Sequence, residues 1–318
     1  MIALCCAAAL LLPSVALRSR AWEGEVQDPA VPSILPPYWL HIPKCGSSFA
    51  TAIAHLVCGD SIPERARVVN PSVFFSKWSG ACPKDKFLDF LGSHKPLPQD
   101  RPEIFKNVVV MVREPMQRIL SGYYARPQEP LHDCPRLQEK YHCETYGDGQ
   151  CDGDIQKDGR YITNPDVIPP VEYAECVQNC ATNMLTGFRC DSPDPPNVSV
   201  AVATLKKLGF VGLTGEWELT VCLWHAKFGG QPLMAELANG RPGPLSQSAY
   251  DAKGLLGDWQ ATSDLAVYQA ARELFDAELQ RHNLTAETCN EWIASVGAKS
   301  ETTKHRGLAY GRMVYDED

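Results

Sequence analysis

Two stretches of this chain bring together residue types that suit a bound anion. The first, "YWLHIPKCGSSFATAI" (38–53), reads as a short apolar strand, a break at Pro43 and then a helix. The break holds Lys44, Cys45, Gly46, Ser47 and Ser48. A helix start reached from a strand through a tight turn presents backbone N–H groups and the positive end of the helix dipole to one spot. Gly46 permits close backbone approach, Lys44 adds a full charge, and the two serines add hydroxyl donors. The order differs from that of a nucleotide-kinase phosphate loop, whose glycines precede its lysine. Taken alone, the pattern is equally a plain strand-to-helix turn with a solvated lysine.

The second stretch is "VVVMVREPMQRILSGYY" (108–124). It sets Arg113 just past a continuous apolar strand, and Ser121 eight residues later on the following helix. Ligands of open α/β sheets bind beyond the carboxyl ends of the strands. Arginine can fork onto a phosphate there, with a serine donating from two turns on. Arg118 is a further cation nearby. Two such loops at two strand ends suit a ligand with two separate anionic groups.

The remaining pattern supplies the scaffold. Strand candidates at 38–42, 107–112 and 208–214 alternate with helix candidates at 47–58, 114–125, 171–188, 216–228 and 263–282. Leu265, Tyr268, Phe275 and Leu279 lie near one stripe of the last helix. This alternation predicts an α/β class with a mainly parallel sheet flanked by helices. Residues 126–170 dissolve into Pro, Gly, Asp and Cys and read as a Cys-rich insertion tied by disulfides. Cys176 and Cys180 are expected one turn apart on a single helix face, unsuited to pairing with each other.

Composition narrows the setting. The chain has 318 residues, 44% hydrophobic and 21% charged, with a net charge of −8. That is an ordinary globular composition. Its acidic balance argues against broad binding of nucleic acid or heparin-like polymers. Residues 1–17 read as a signal peptide or signal anchor, 18–36 as a linker, 37–295 as the catalytic domain and 296–318 as a tail. Of thirteen cysteines, Cys5 and Cys6 fall in the leader, leaving eleven, none in a CxxC pair. Zinc spacing is therefore absent, and disulfides in an oxidising lumen are the expectation. The odd count leaves at least one thiol over. Asn197-Val-Ser199 and Asn283-Leu-Thr285 are N-glycosylation acceptors in keeping with that compartment.

Together, "HIPKCGSSF" and "VREPMQRILSGYY", in this order and 69 residues apart from Lys44 to Arg113, resemble a known pair. They are similar to the two donor-binding motifs of sulfotransferases that use 3′-phosphoadenosine 5′-phosphosulfate (PAPS). The likeness is greatest to Golgi carbohydrate enzymes such as heparan sulfate 2-O- and 6-O-sulfotransferases and galactose 3-O-sulfotransferases. "QNCATNMLTGF" and "FVGLTGEWE" look like later family segments. The resemblance spans roughly 38–228, with 126–170 poorly matched. It implies a sulfotransferase-like P-loop nucleotide-binding architecture and PAPS as donor, with no metal. On matching positions, Lys44, Cys45, Gly46, Ser47 and Ser48 would hold the 5′-phosphosulfate, and Arg113 and Ser121 the 3′-phosphate. Cys45 stands where relatives usually carry threonine, so one hydroxyl contact is in question. A cofactor loop is a poor place for a disulfide, which makes Cys45 the candidate for the thiol left over.

Sulfuryl transfer needs an in-line acceptor hydroxyl, a base for its proton, and positive charge on the leaving oxygen. Lys44 suits the last task. His94 in "LGSHKPLP", expected at the end of a strand between the two motifs, is the chosen base; its type has a reference pKa of about 6.5. Relatives of the 2-O and 6-O type place a catalytic histidine in a comparable segment. His55 is the second candidate, though its helical setting favours packing, and His41 is expected to pack. Lys95, Arg118 and Arg126 could meet an acidic acceptor, but isolated surface cations usually face water. Trp217 and Trp224 read as core, "TTKHRG" (302–307) as a basic tail. The acceptor class is a carbohydrate or other hydroxyl-bearing molecule, neutral or lightly charged. Two rivals stay open: a nucleotide kinase, and a secreted disulfide-rich glycan-binding protein without catalysis.

Overall fold

Val108–Val112, five consecutive buried apolar residues, is the strand on which the architecture turns. β-Branched side chains covered on both faces favour the centre of a parallel sheet. In the computed structural model, which describes residues 33–89, 91–125, 134–142, 155–157, 160–162, 166–238 and 250–304, it is the middle strand of three. The strands are β1 (Tyr38–Leu40), β2 (Val108–Val112), β3 (Ile155–Lys157), β4 (Arg160–Ile162) and β5 (Phe210–Leu213). β1 and β5 pair parallel to β2 on its two sides, with Leu40 opposite Val110 and Leu213 opposite Val112. β3 and β4 form a separate antiparallel hairpin.

The helices that follow the sheet strands are α1 (Ala50–Cys58), α2 (Pro71–Lys77), α3 (Pro115–Ala125) and α4 (Pro135–Lys140). Next come α5 (Pro170–Val177), α6 (Cys180–Leu185), α7 (Val198–Leu205), α8 (Trp217–Phe228) and α9 (Met234–Leu237). The last are α10 (Ala252–Leu256), α11 (Thr262–Arg281) and α12 (Ala286–Lys304). The α/β class and the flanked parallel sheet agree with the sequence reading. None of the described helices is long and apolar enough to cross a membrane.

Phe49, at the end of the first anion stretch, ties its loop to the sheet. Its ring stacks on Phe210 of β5 at 5.6 Å and meets Trp224 edge-on at 5.4 Å and Trp217 at 6.1 Å. Phe49, Phe210 and Trp224 are all fully buried. The core therefore runs from α1 through β5 to α8, directly beneath the loop that follows β1. Asn107 donates to the carbonyls of Ile34 and Leu35 at 3.1 and 3.0 Å, fixing the chain just before β1. Buried Ile34 thus packs within the stretch the sequence assigns to a linker.

Several expectations are corrected. Among its described residues the segment before His94 forms no strand; after a 3-10 turn at Lys84–Lys86 these run irregularly. Cys176 and Cys180 do not share a helix: α5 ends at Val177, α6 starts at Cys180, and the bridges are Cys134–Cys176 and Cys180–Cys190. Cys58–Cys82 and Cys222–Cys289 complete the described disulfides. The buried positions of α11 are Asp264, Val267, Ala271 and Phe275, so Leu265, Tyr268 and Leu279 flank the stripe instead of centring it. Arg118 is not a surface cation. It is buried on α3 and donates to the Val177 carbonyl and, at 3.4 Å, to buried Asp264. Asp264 also accepts from the Ala181 and Thr182 N–H groups and the Thr182 hydroxyl, so one carboxylate gathers α3, α6 and α11. Arg126 and the second half of "TTKHRG" lie outside the described residues, while α12 carries helix through Lys304.

Candidate active site

The loop after β1 is shaped by two left-handed residues, Lys44 at φ 64° and Gly46 at φ 81°. The Cys45 N–H closes a turn onto the Ile42 carbonyl at 3.2 Å, and the Phe49 N–H onto that of Gly46 at 3.0 Å. Ser47–Phe49 then forms a 3-10 turn leading into α1. Alternating left- and right-handed residues before a helix make a concave nest of N–H groups suited to an anion. Gly46 is required twice over. A Cβ there would come within 2.9 Å of Trp217 Cζ3 and 3.2 Å of Thr214 Oγ1. The segment after β5 thus forms one wall of the nest, and the Trp217 indole is itself held by donating to the Glu236 carbonyl at 3.0 Å.

Arg113 follows β2, the neighbour of β1, so both loops emerge at the same carboxyl edge. They touch. The Arg113 Nη1 donates to the Lys44 carbonyl at 3.4 Å. Burial lowers the pKa of Arg113 from its usual value, against the pull of Cys45, Tyr250 and Glu114, yet an arginine stays protonated at any physiological pH.

Cys45 is buried within the first loop. It is the free cysteine among the described residues, 1% exposed, with the charges of Arg118 and Arg113 near its thiol. Burial pushes the thiol up to about 11 in spite of Arg118 and Arg113 nearby, so it stays protonated and inert. The side chain at this position is therefore buried in the core and its sulfur is not offered to a ligand.

The second loop offers anions something different. Glu114 caps α3, accepting the N–H groups of Met116 at 3.1 Å and Gln117 at 2.7 Å. That carboxylate occupies the helix start, leaving side chains as the donors here. Ser121 sits half-buried six positions into α3, about 9 Å along it from Pro115 at the helical rise. Gln117 pairs with both backbone groups of Tyr250, at 2.9 and 2.7 Å, which brings the Tyr250 ring to 6.0 Å from the Arg113 guanidinium and stacks it on Tyr124. Thr214, Trp217, Glu114 and Tyr250 were not singled out for the site from sequence. Glu-Pro ahead of a helix does signal a cap; the others come from far along the chain and carry no local signal.

His94 is exposed, and its ring meets His41 edge-on with centroids 4.6 Å apart. His41 is buried against Trp39 at 5.6 Å, three residues before Lys44. His94 therefore stands beside the residue that follows β1, on irregular chain and not at a strand end. His55 is buried with Nε2 on the Ala66 carbonyl at 2.9 Å, a packing role. Trp224 is core and Trp217 partly so. Structure thus joins Lys44, Cys45, Gly46 and Arg113 directly and places His94 at their flank, with Ser121 further along α3. Among the described residues no His, Cys, Asp and Glu cluster could hold a metal ion.

Residues 38–163 match the Sulfotransferase family. The likeness to sulfotransferases covers less than half of the chain. The matched stretch begins at Tyr38, contains both loops and runs through most of 126–170, where the resemblance to the motif-bearing enzymes is poor. The later segments "QNCATNMLTGF" and "FVGLTGEWE" fall beyond it. No curated protein and no solved structure matches the chain. The match supports sulfuryl transfer in general, and the matched family implies PAPS as donor and a hydroxyl-bearing acceptor.

Proposed function

We propose that this protein moves the sulfuryl group of PAPS onto a hydroxyl of a carbohydrate by in-line displacement. One observation carries the reading: Arg113 and the Lys44 loop, from adjacent parallel strands, meet at 3.4 Å on one edge of the sheet. A doubly anionic nucleotide needs two such grips close together. The residues fit it, since the nest at Gly46 has no room for a Cβ and cations stand on both strands.

When bound, the donor supplies an activated sulfuryl group on a phosphate leaving group. Lys44, Gly46, Ser47 and Ser48 hold the 5′ end through backbone N–H groups, hydroxyls and the ammonium, while Cys45, whose N–H is spent on the Ile42 carbonyl, keeps the loop in shape. Lys44 neutralises charge that grows on the leaving oxygen. Arg113 and Ser121 hold the 3′-phosphate by side chains, because Glu114 has taken the α3 start. His94 accepts the proton of the acceptor hydroxyl as the new sulfur–oxygen bond forms and the old one breaks.

The net charge of −8 favours a neutral or lightly charged glycan over a glycosaminoglycan. The described disulfides support the secretory lumen, either Golgi with a retained signal anchor or outside the cell, with exposed Asn197 and Asn283 as glycosylation sites.

The test uses the purified chain, sulfur-35-labelled PAPS and a pool of neutral oligosaccharides, in chelator. Labelled glycan is expected. Lys44→Ala and Arg113→Ala should abolish calorimetric binding of adenosine 3′,5′-bisphosphate, while His94→Ala keeps binding and loses about 100-fold or more in turnover. A strict magnesium requirement would favour phosphoryl transfer, and donor binding without transfer would favour a glycan-binding protein; either overturns the proposal.

A further inference from the structure

His94 sits on chain without helix or strand, yet that chain is stitched down on both sides. Leu91 and Leu97 are buried in the core. The Leu88 N–H donates to the Pro37 carbonyl and the Leu97 N–H to the Met184 carbonyl, each at 2.9 Å. Tyr38 Oη donates to the Pro96 carbonyl at 3.2 Å. Burial first, and then the Asp89 charge, push this phenol up to about 12, so it remains a donor.

Between the stitches lies Asp89, whose two carboxylate oxygens go to the two residues flanking His94. Oδ2 accepts the Ser93 hydroxyl at 2.8 Å, and Oδ1 accepts the Lys95 ammonium at 3.1 Å. Asp89 is 12% exposed at its side chain and Lys95 67%. An ion pair so exposed at one end adds little stability. A two-point grip around one residue does something else: it fixes the direction in which that residue's side chain leaves the loop. Here the direction is toward His41, against which the His94 ring rests.

We propose that Asp89 is a positioning residue for His94, bracing the loop so that the imidazole is held beside the Lys44 loop before any ligand arrives. The inference rests on the reading of His94 as base. Loops need such bracing because catalytic groups tolerate only about 0.5 Å of misplacement, and a 1 Å error costs about 100-fold.

The experiment is a double-mutant cycle on sulfuryl transfer from labelled PAPS to the neutral oligosaccharide pool and to water, with two further readouts. Asp89→Ala should lower kcat about 10- to 100-fold in the wild-type background and not at all in the His94→Ala background. Asp89→Asn, which still accepts the Ser93 hydroxyl, should fall between. Binding of adenosine 3′,5′-bisphosphate should be unchanged in both. The NMR signal of the His94 Cε1–H should move toward its unstructured position in Asp89→Ala while the melting temperature stays close to wild type. If Asp89→Ala does not fold, Asp89→Asn carries the same comparisons.

An equal loss in both backgrounds, an unmoved His94 signal, or weakened bisphosphate binding would overturn the role of Asp89 and leave His94 standing. Wild-type turnover in His94→Ala would instead remove His94 as base, and this inference with it. No transfer by the wild type would strike the proposed function itself.

Discussion

Replacing Gly46 with alanine tests the donor nest at its tightest point. The new Cβ would stand 2.9 Å from Trp217 Cζ3 and 3.2 Å from Thr214 Oγ1, in a residue held at φ 81°. The left-handed backbone costs a non-glycine residue about 1–2 kcal/mol. Overpacking against a ring that cannot retreat adds about 1–2 kcal/mol, at the low end of such insertions. Trp217 is restrained by its bond to the Glu236 carbonyl and by the edge of Phe49. The loop can relieve both only by leaving its present shape, so the penalty of about 2–4 kcal/mol falls on nucleotide affinity, a loss of roughly 30- to 700-fold. Calorimetry with adenosine 3′,5′-bisphosphate reads it. Adding Trp217→Leu removes the offending ring edge and should restore the contact part, leaving the backbone part in place. Bisphosphate affinity within threefold of wild type for Gly46→Ala alone would refute the argument that this nest grips the nucleotide.

Other outcomes follow from the same geometry. Cys45, buried with its thiol at about 11, should resist iodoacetamide at pH 8 in the folded chain and react once urea unfolds it, as mapped on its own peptide. Reaction at native conditions would show that the loop opens. Removing the Cys222–Cys289 bridge by Cys222→Ala with Cys289→Ala releases a loop of 67 residues between α8 and α12, and should cost about 4 kcal/mol in urea unfolding. Loss of the Trp217 wall would accompany it only if α8 itself frays, which bisphosphate binding would detect.

The shapes of both loops were legible because each is local. A strand of valines, an arginine at its end and a proline in the next helical turn can be read within a dozen residues, since hydrophobic run and helix start obey short-range rules. The same holds for the lysine, glycine and serines before α1. That Cys45 stays without a disulfide was legible too, on chemical grounds. The strand expected before His94 was misjudged because an apolar stretch containing prolines and glycine can be pinned by side chains, here Asp89 and Tyr38, without pairing to the sheet. Arg118 was misjudged because a charge on an amphipathic helix usually faces water; only Asp264, far along the chain, makes its burial tolerable.

What the sequence by itself determined is the chemistry on offer: a lysine with a flexible loop, an arginine past a strand, and a histidine between them. Only the tertiary structure decided that the lysine loop and the arginine meet on one edge of the sheet. The parallel pairing of β1 with β2 puts both loops on one edge, and the pairing of β2 with β5 brings Thr214 and Trp217 against Gly46. Strand order and register depend on contacts between residues far apart in the chain, which no window of sequence contains. The two loop motifs could be read before folding, whereas the wall that shapes the nest and the brace beside the histidine exist only once the sheet has closed.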